Sequence, residues 1–158
     1  MKSTHRRTRW ILALCLSLTA WGVQAFEMRG FRGVAWGEGL EALGAARAIY
    51  TDGEVTCYQR ERENLLFGES ALTGVHYCFH RDHFFLATLE AAVSAKAFLA
   101  EFAVMYGPPD ARLGDTASWR GASPGTRADL MPAGAAAARL TLSSGNEALA
   151  QRMQKLRE

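Results

Sequence analysis

Apolar and polar residues alternate along the middle of the chain, which is the pattern of strands with one buried face. In residues 72–79, Val75, Tyr77 and Phe79 fall on one side of an extended chain, and the residues between them fall on the other. A short polar turn separates this run from a second apolar run at residues 84–93. The two runs predict neighbouring strands of an antiparallel meander.

Three segments carry the signals of helices instead. Residues 94–106 begin with Ser94, a favourable N-cap, and end before a Gly-Pro-Pro sequence. Residues 144–156 begin with a Ser-x-x-Glu capping box, and residues 40–49 form a shorter candidate that Gly44 weakens. The apolar stripes of the two longer segments consist of Phe98, Phe102 and Met105 and of Leu149, Met153 and Leu156.

Shorter apolar runs between turn-forming residues predict further strands. They lie near residues 55–58, 65–67, 118–120, 127–131 and 137–142. The length of 158 residues suits one domain. Together these elements predict a single α+β domain, an antiparallel sheet of about five or six strands with two or three helices packed on one face.

The first 25 residues have the parts of a secretory signal. Residues 1–9 hold four basic residues and no acidic one, an apolar run follows at residues 10–21, and Val23 and Ala25 are the small residues that precede a cleavage site. The apolar run is too short for a membrane span, which needs about 20 apolar residues. We therefore expect cleavage after Ala25, export of residues 26–158 to the periplasm, and no transmembrane segment in the exported chain.

Removal of this leader changes the charge of the chain. The full sequence has 18 Lys and Arg against 16 Asp and Glu, a formal net charge of +2. All four charges of the leader are basic, so the exported chain would keep 14 Lys and Arg against 16 Asp and Glu. That mildly acidic balance excludes a strongly basic nucleic-acid-binding protein, and the 49% hydrophobic content excludes a disordered chain.

The exported part of the chain keeps two of the three cysteines, Cys57 and Cys78. An even number of cysteines in an oxidising compartment predicts a disulfide between them. Closing a loop of about 20 residues would stabilise the fold by about 3 kcal/mol in the chain-entropy description.

All histidines of the exported chain lie in the sequence His76-x-Cys78-x-His80-x-x-His83. Imidazole and thiolate groups are ligands of zinc and copper, so the spacing raises a metal site as a hypothesis. On a straight strand His76 and His80 would lie about 13 Å apart, too far to share one ion, whereas His80 and His83 could meet across a turn. The alternative, which we favour, is a solvated sheet face with a structural disulfide and no cofactor.

The sequence contains no pattern typical of an enzyme active site. Gly37-x-Gly39 lacks the flanking strands of a dinucleotide site, and Ser70 lacks the second glycine of a nucleophile elbow. A His-Glu-x-x-His sequence and a phosphate-binding loop do not occur. We therefore expect a protein that is not an enzyme.

Large aromatic residues are the remaining candidates for a ligand surface. Trp36, Trp119, Tyr58 and Tyr77 could line a groove for a partner. Large aromatic residues in a small domain more often form its core, and this alternative is the one we favour.

Several short motifs resemble those of a loose group of small, uncharacterised bacterial exported proteins. They are a Phe-x-Gly-x-x-Trp-Gly segment at residues 31–37, a Val-x-Tyr-x-Phe strand at residues 75–79, and a Tyr-Gly-x-Pro helix end at residues 106–109. A strand around Trp119 and a leucine-rich strand at residues 140–142 complete the pattern. The resemblance implies a periplasmic α+β domain without a known activity. The histidines depart from the group's usual pattern, so the resemblance implies no metal role.

Two functions follow as expectations. The first is a non-catalytic domain that binds an unknown protein or a component of the cell envelope. The second is a periplasmic metal-binding protein that uses His76, His80 and His83 to hold zinc or copper.

Overall fold

In a computed structural model that describes residues 28–123 and 125–145, the chain consists mostly of β-strands. In chain order the strands are β1 (Gly30–Phe31), β2 (Val34–Ala35), β3 (Ala46–Asp52), β4 (Val55–Arg60), β5 (Leu66–Phe67), β6 (Ser70–His80), β7 (His83–Ala91), β8 (Ala111–Leu113), β9 (Thr116–Arg120), β10 (Arg127–Gly134) and β11 (Ala137–Ser143). The helices in these ranges are a 3₁₀ helix at Leu40–Leu43 and one α-helix, α1 (Ala95–Tyr106).

Nine of these strands form one antiparallel sheet. Eight of them follow the order β3-β4-β6-β7-β11-β10-β9-β8, and β5 pairs with the start of β6. The sheet consists of two meanders that meet where β7 pairs with β11. Leu89 and Leu140 are directly opposed at this junction, and both are fully buried. β1 and β2 form a separate two-stranded hairpin.

The prediction of an α+β domain is wrong. The sheet has nine strands rather than five or six, and α1 is the one α-helix of the described ranges instead of two or three helices. The helix expected at residues 40–49 is a single 3₁₀ turn ending before Gly44, because Ala46–Asp52 pairs with β4 as strand β3. The helix expected at residues 144–156 falls, from residue 146 onward, outside the described part of the chain.

The β6–β7 hairpin and α1 confirm the clearest sequence patterns. The alternating run at residues 72–79 lies in β6, and the apolar run that begins at residue 84 lies mostly in β7. The two strands are paired along most of their length. The hydroxyl of Ser94 accepts a hydrogen bond of 3.3 Å from the backbone N–H of Ala97 and so caps α1. Gly107, with a φ of 83°, ends the helix at the predicted place.

The main core lies between α1 and one face of the sheet, which we call the helix face. From α1, Phe98 and Phe102 are fully buried, and the Phe102 ring packs on Trp119 with 4.7 Å between centroids. From β5, Phe67 stacks on Phe102 with 5.8 Å between centroids. These contacts hold α1 by its inner side and leave its outer side to solvent.

Candidate functional site

An apolar groove runs along the outer side of α1. It has a volume of about 600 Å³, and its walls are α1 and the turn between β5 and β6. This volume is within the range of ligand-binding clefts. We call it the α1 groove, and the residues that decide its chemistry are Gly68, Ser70, Ala97, Ala100, Val104 and Met105.

Val104 and Met105 give the α1 groove its exposed apolar surface. Val104 is 87% exposed to solvent, and Met105 is 46% exposed. Ala97, Ala100 and Val104 recur at intervals of three and four residues, so they share one side of the helix. These residues give the outer side of α1 an exposed apolar strip, a type of surface that can receive an apolar group.

Glu101 lies in the wall of the α1 groove, but its carboxylate is hydrogen-bonded to other residues of the protein. Its carboxylate accepts hydrogen bonds from the Ser70 hydroxyl and from the backbone N–H groups of Glu69 and Ser70, the last at 3.3 Å. These donors fasten α1 to the β5–β6 turn and satisfy the carboxylate. The groove therefore offers a ligand mainly apolar contact.

The four aromatic residues considered from the sequence do not gather into one surface. Trp119 and Tyr77 are core residues, 1% and 0% exposed, and offer no area to a partner. Trp36 and Tyr58 are half-buried and pack on the same core. The Trp36 ring stacks on Phe84 with 4.7 Å between centroids.

Histidines 80 and 83 face each other at the end of the β6–β7 hairpin. His80 and His83 are directly paired across its two-residue turn, whereas His76 lies four residues back along β6. The Nδ1 atom of His83 is 3.0 Å from the carbonyl oxygen of Gly37. A neutral His83 ring that donates from Nδ1 keeps its Nε2 lone pair available. The structure thus brings two of the three predicted metal ligands together and leaves His76 apart.

The carboxylate of Glu54 contacts His80 of this histidine pair. Its Oε2 lies 3.4 Å from His80 Nε2, and its Oε1 accepts a hydrogen bond of 2.8 Å from Arg81. The Arg81 hydrogen bond lowers the pKa of the Glu54 carboxyl below its ordinary value. Across the described residues, no three His, Cys, Asp or Glu side chains are arranged to hold a metal ion.

Cys57 and Cys78 form the predicted disulfide. They are directly opposed on β4 and β6, and the S–S distance is 2.04 Å. Both residues are completely buried. The bond removes the Cys78 thiolate from any metal site with the neighbouring histidines.

Sequence reasoning missed the α1 groove. The signal that could have found it was the spacing of Ala97, Ala100 and Val104 on the side of α1 away from Phe98 and Phe102. Small apolar residues on one side of a helix do not by themselves indicate a binding site. Their role depends on the β5–β6 turn, which is distant in sequence and supplies the opposite wall.

No helix in residues 28–123 and 125–145 combines the length and the apolar character that crossing a membrane requires. Comparison with known proteins found no matching family model, no matching curated protein and no matching solved structure.

Proposed function

We propose that this protein is a non-catalytic binding domain of the bacterial periplasm that holds an apolar segment of another exported or envelope protein in the α1 groove. The observation that carries the proposal is the exposure of Val104 and Met105 in a groove where the Glu101 carboxylate is already hydrogen-bonded. An apolar side chain entering the groove would gain about 25 cal/mol for each Å² removed from water. It would not have to strip water from an unpaired charge.

The rim of the groove indicates the chemistry next to that apolar segment. Glu69 is exposed at the mouth, beside the turn whose backbone binds Glu101. A negative charge at the rim favours a basic residue in the partner and disfavours an acidic one. We expect a segment with two or more large apolar residues next to Lys or Arg.

Export is the second part of the proposal. The basic, apolar and small-residue parts of residues 1–25 support a cleavable leader. The Cys57–Cys78 disulfide supports an oxidising compartment, because such bonds persist outside the cytosol. In that compartment the available partners are exported and envelope proteins.

Selection from a displayed peptide library tests the groove directly. The immobilised protein would be purified from the periplasm with its disulfide intact. We expect the selected peptides to be rich in Leu, Ile, Phe and Met next to Lys or Arg, and to lose at least about tenfold in affinity for Val104→Asp. Peptides without apolar residues would overturn the proposal.

A matched control separates the groove from exposed apolar surface in general. Leu113 in β8 is 85% exposed, much like Val104, but does not line the groove. Because both residues face solvent, neither Val104→Asp nor Leu113→Asp should unfold the protein. Leu113→Asp should bind the selected peptides normally, and equal losses in the two variants would contradict the assignment.

Metal binding is a second candidate function, and the direct pairing of His80 with His83 favours it over the other histidine combinations. Two imidazoles make a weak site for Zn²⁺ or Cu²⁺, with water filling the remaining positions. The hydrogen-bonding contact of His83 Nδ1 with the Gly37 carbonyl would orient that ring as carbonyls orient metal-bound histidines elsewhere.

Calorimetric titration with Zn²⁺ and Cu²⁺ tests this candidate. We expect His80→Ala/His83→Ala to abolish the binding and His76→Ala to leave it unchanged. Equal binding by the wild type and a His76→Ala/His80→Ala/His83→Ala variant would eliminate a histidine site.

A further inference from the structure

β3 is the end strand of the sheet, and its outer side has no partner strand among the described residues. Its middle residues are exposed, including Ile49 at 38% and Tyr50 at 36%. A seven-residue edge such as this presents unpaired backbone N–H and C=O groups to any strand that can align with it. The strand at the opposite end, β8, has only three residues.

A β-bulge changes the face that each β3 side chain occupies. The register with β4 shifts between Ala48 and Tyr50, so Ile49 is the extra residue of the bulge. Side chains normally alternate between faces, and two residues five positions apart lie on opposite faces. One extra residue between them restores them to the same face.

Arg47 and Asp52 are the residues that the bulge brings to one face. Arg47 is opposite Gln59 and Asp52 is opposite Val55. Gln59 and Val55 are four residues apart on β4, and β4 is paired without interruption in this range, so they share a face. Arg47 and Asp52 therefore share it too.

The two remaining inner positions follow the same symmetry. Ala48 is opposite Tyr58 and Thr51 is opposite Thr56, so Ala48 and Thr51 share the other face. Positions equally distant from the middle of the strand, such as Arg47 and Asp52 or Ala48 and Thr51, therefore lie on the same face, and Tyr50 lies near the middle. This is the condition for an antiparallel pair of identical strands related by a twofold axis, because directly opposed residues must lie on one face.

We propose that two copies of this chain pair β3 with β3 in antiparallel orientation, so that Arg47 of each copy lies opposite Asp52 of the other. The pairing also sets Ala48 opposite Thr51 and brings the Ile49 and Tyr50 side chains of the two copies together near the axis. Opposite charges and aromatic–aliphatic pairs are favourable across antiparallel strands. The ladder between the copies would satisfy backbone groups of both edges and join the two sheets into one.

Charges and bulges at sheet edges usually prevent such pairing. Here the two charges have opposite sign, and the bulge places them where a second copy can match them. A strand pair of this length buries little surface, so the dimer should be weak. It goes beyond the proposed binding function, because the α1 groove is lined by α1 and the β5–β6 turn and includes no residue of β3.

Sedimentation of the exported protein tests this inference, over concentrations from about 10 μM to about 1 mM. We expect a reversible monomer–dimer equilibrium. Arg47→Asp and Asp52→Arg, which each set like charges opposite one another, should raise the dissociation constant by about tenfold. The charge swap Arg47→Asp/Asp52→Arg should restore wild-type association.

The controls keep folding and pairing apart. Arg112→Asp changes a charge on β8, the other edge, and should leave the dissociation constant unchanged. Circular dichroism establishes that each variant is folded. The association of the double variant can be measured even if one of the single variants fails to fold. A protein that stays monomeric throughout, or single variants that associate like the wild type, would overturn the proposal.

Discussion

The hydroxyl of Tyr77 donates a hydrogen bond of 2.9 Å to the carboxylate of Glu63, which is also paired with Arg32 at 2.5 Å. Tyr77 is completely buried in β6, and the side chain of Glu63 is only 5% exposed. The guanidinium of Arg60 lies 4.9 Å from the centre of the Tyr77 ring. These contacts connect the β1–β2 hairpin and the loop after β4 to the sheet.

This arrangement predicts an alkaline loss of stability. Burial, followed by the charge of Glu63, raises the pKa of the Tyr77 phenol well above its ordinary value. The unfolded chain releases this proton near pH 10, while the folded chain retains it, so the folded state binds more protons above that pH. The contribution is complete below about pH 10, and the free energy of unfolding falls as the pH rises further.

Denaturant unfolding between pH 8 and pH 11.5 measures this loss, at pH values chosen on either side of about 10. Tyr77→Phe should reduce the alkaline fall. At neutral pH it should cost about 1–3 kcal/mol, because the nearly buried Glu63 carboxylate loses a donor. A variant that loses stability with pH as steeply as the wild type would show that Tyr77 is not responsible.

The Cys57–Cys78 disulfide should stabilise the fold without being required for it. The bond closes a loop with a sequence separation of 21, and its loss should cost about 3 kcal/mol in the chain-entropy description. The main core on the helix face contains neither cysteine, so the reduced protein should keep the sheet. Both cysteines are fully buried, and reduction should therefore require the sheet to open at β4 and β6.

Unfolding midpoints of the oxidised protein, the reduced protein and Cys57→Ala/Cys78→Ala check this prediction. Thiol titration under denaturing conditions establishes that reduction is complete. A fully reduced protein with an unchanged midpoint would contradict the stabilising role.

The patterns that could be read from the sequence were those determined by local periodicity. Alternation at Val75, Tyr77 and Phe79 identified β6, and the Ser94 cap with the stop at Gly107 identified α1. The helix predicted at residues 40–49 overlaps the start of β3, where pairing of Ala46–Asp52 with β4 decides the conformation instead of local helix propensity. Tertiary pairing overrides propensity there, and no local signal reports it.

The candidate site was less accessible to sequence reasoning than the fold. The proximity of His80 and His83 followed from a turn between two strands, and the disulfide followed from the cysteine count. The α1 groove depends on the approach of Glu101 to Ser70, which are 31 residues apart. A contact of that kind depends on how the β5–β6 turn packs on α1, and it produces no periodic pattern of residues in the sequence.

Gly68 is the position where that approach is tightest. Its φ is +56°, and a Cβ added there would collide with the Glu101 carboxylate. Gly68→Ala should therefore carry two costs. The left-handed backbone costs about 1–2 kcal/mol for a residue with a Cβ, and displacement of the carboxylate from its donors should add about 1–2 kcal/mol more.

A double-mutant cycle separates the two costs. In the Glu101→Ala background, Gly68→Ala should cost only the backbone part. Gly53 is the matched control, because its φ is +59° and nothing lies within 4 Å of an added Cβ. Gly53→Ala should cost the same with and without Glu101, as measured by denaturant unfolding. Equal costs at Gly68 in both backgrounds would exclude the steric coupling with Glu101.

The two-residue turn between β6 and β7 begins with Arg81, a residue that does not favour the backbone conformation of the turn. Arg81 and Asp82 have φ values of 50° and 63°, the left-handed region that asparagine and glycine prefer in tight hairpins. The Asp82 carboxylate accepts a hydrogen bond of 3.1 Å from the backbone N–H of Leu40, so the Asp82 side chain stabilises the start of the 3₁₀ helix. The Arg81 side chain forms an exposed ion pair with Glu54.

Arg81→Asn should therefore stabilise the hairpin, because asparagine tolerates the left-handed conformation better than arginine. The loss of the exposed ion pair with Glu54 opposes this gain only weakly. We expect the melting temperature to rise by about 2–3 °C. Glu54→Gln serves as the control, since it removes the ion pair and leaves the turn unchanged, and in that background Arg81→Asn should show the larger gain. A decrease in both backgrounds would mean that Arg81 is suited to the turn for a reason other than its pairing with Glu54.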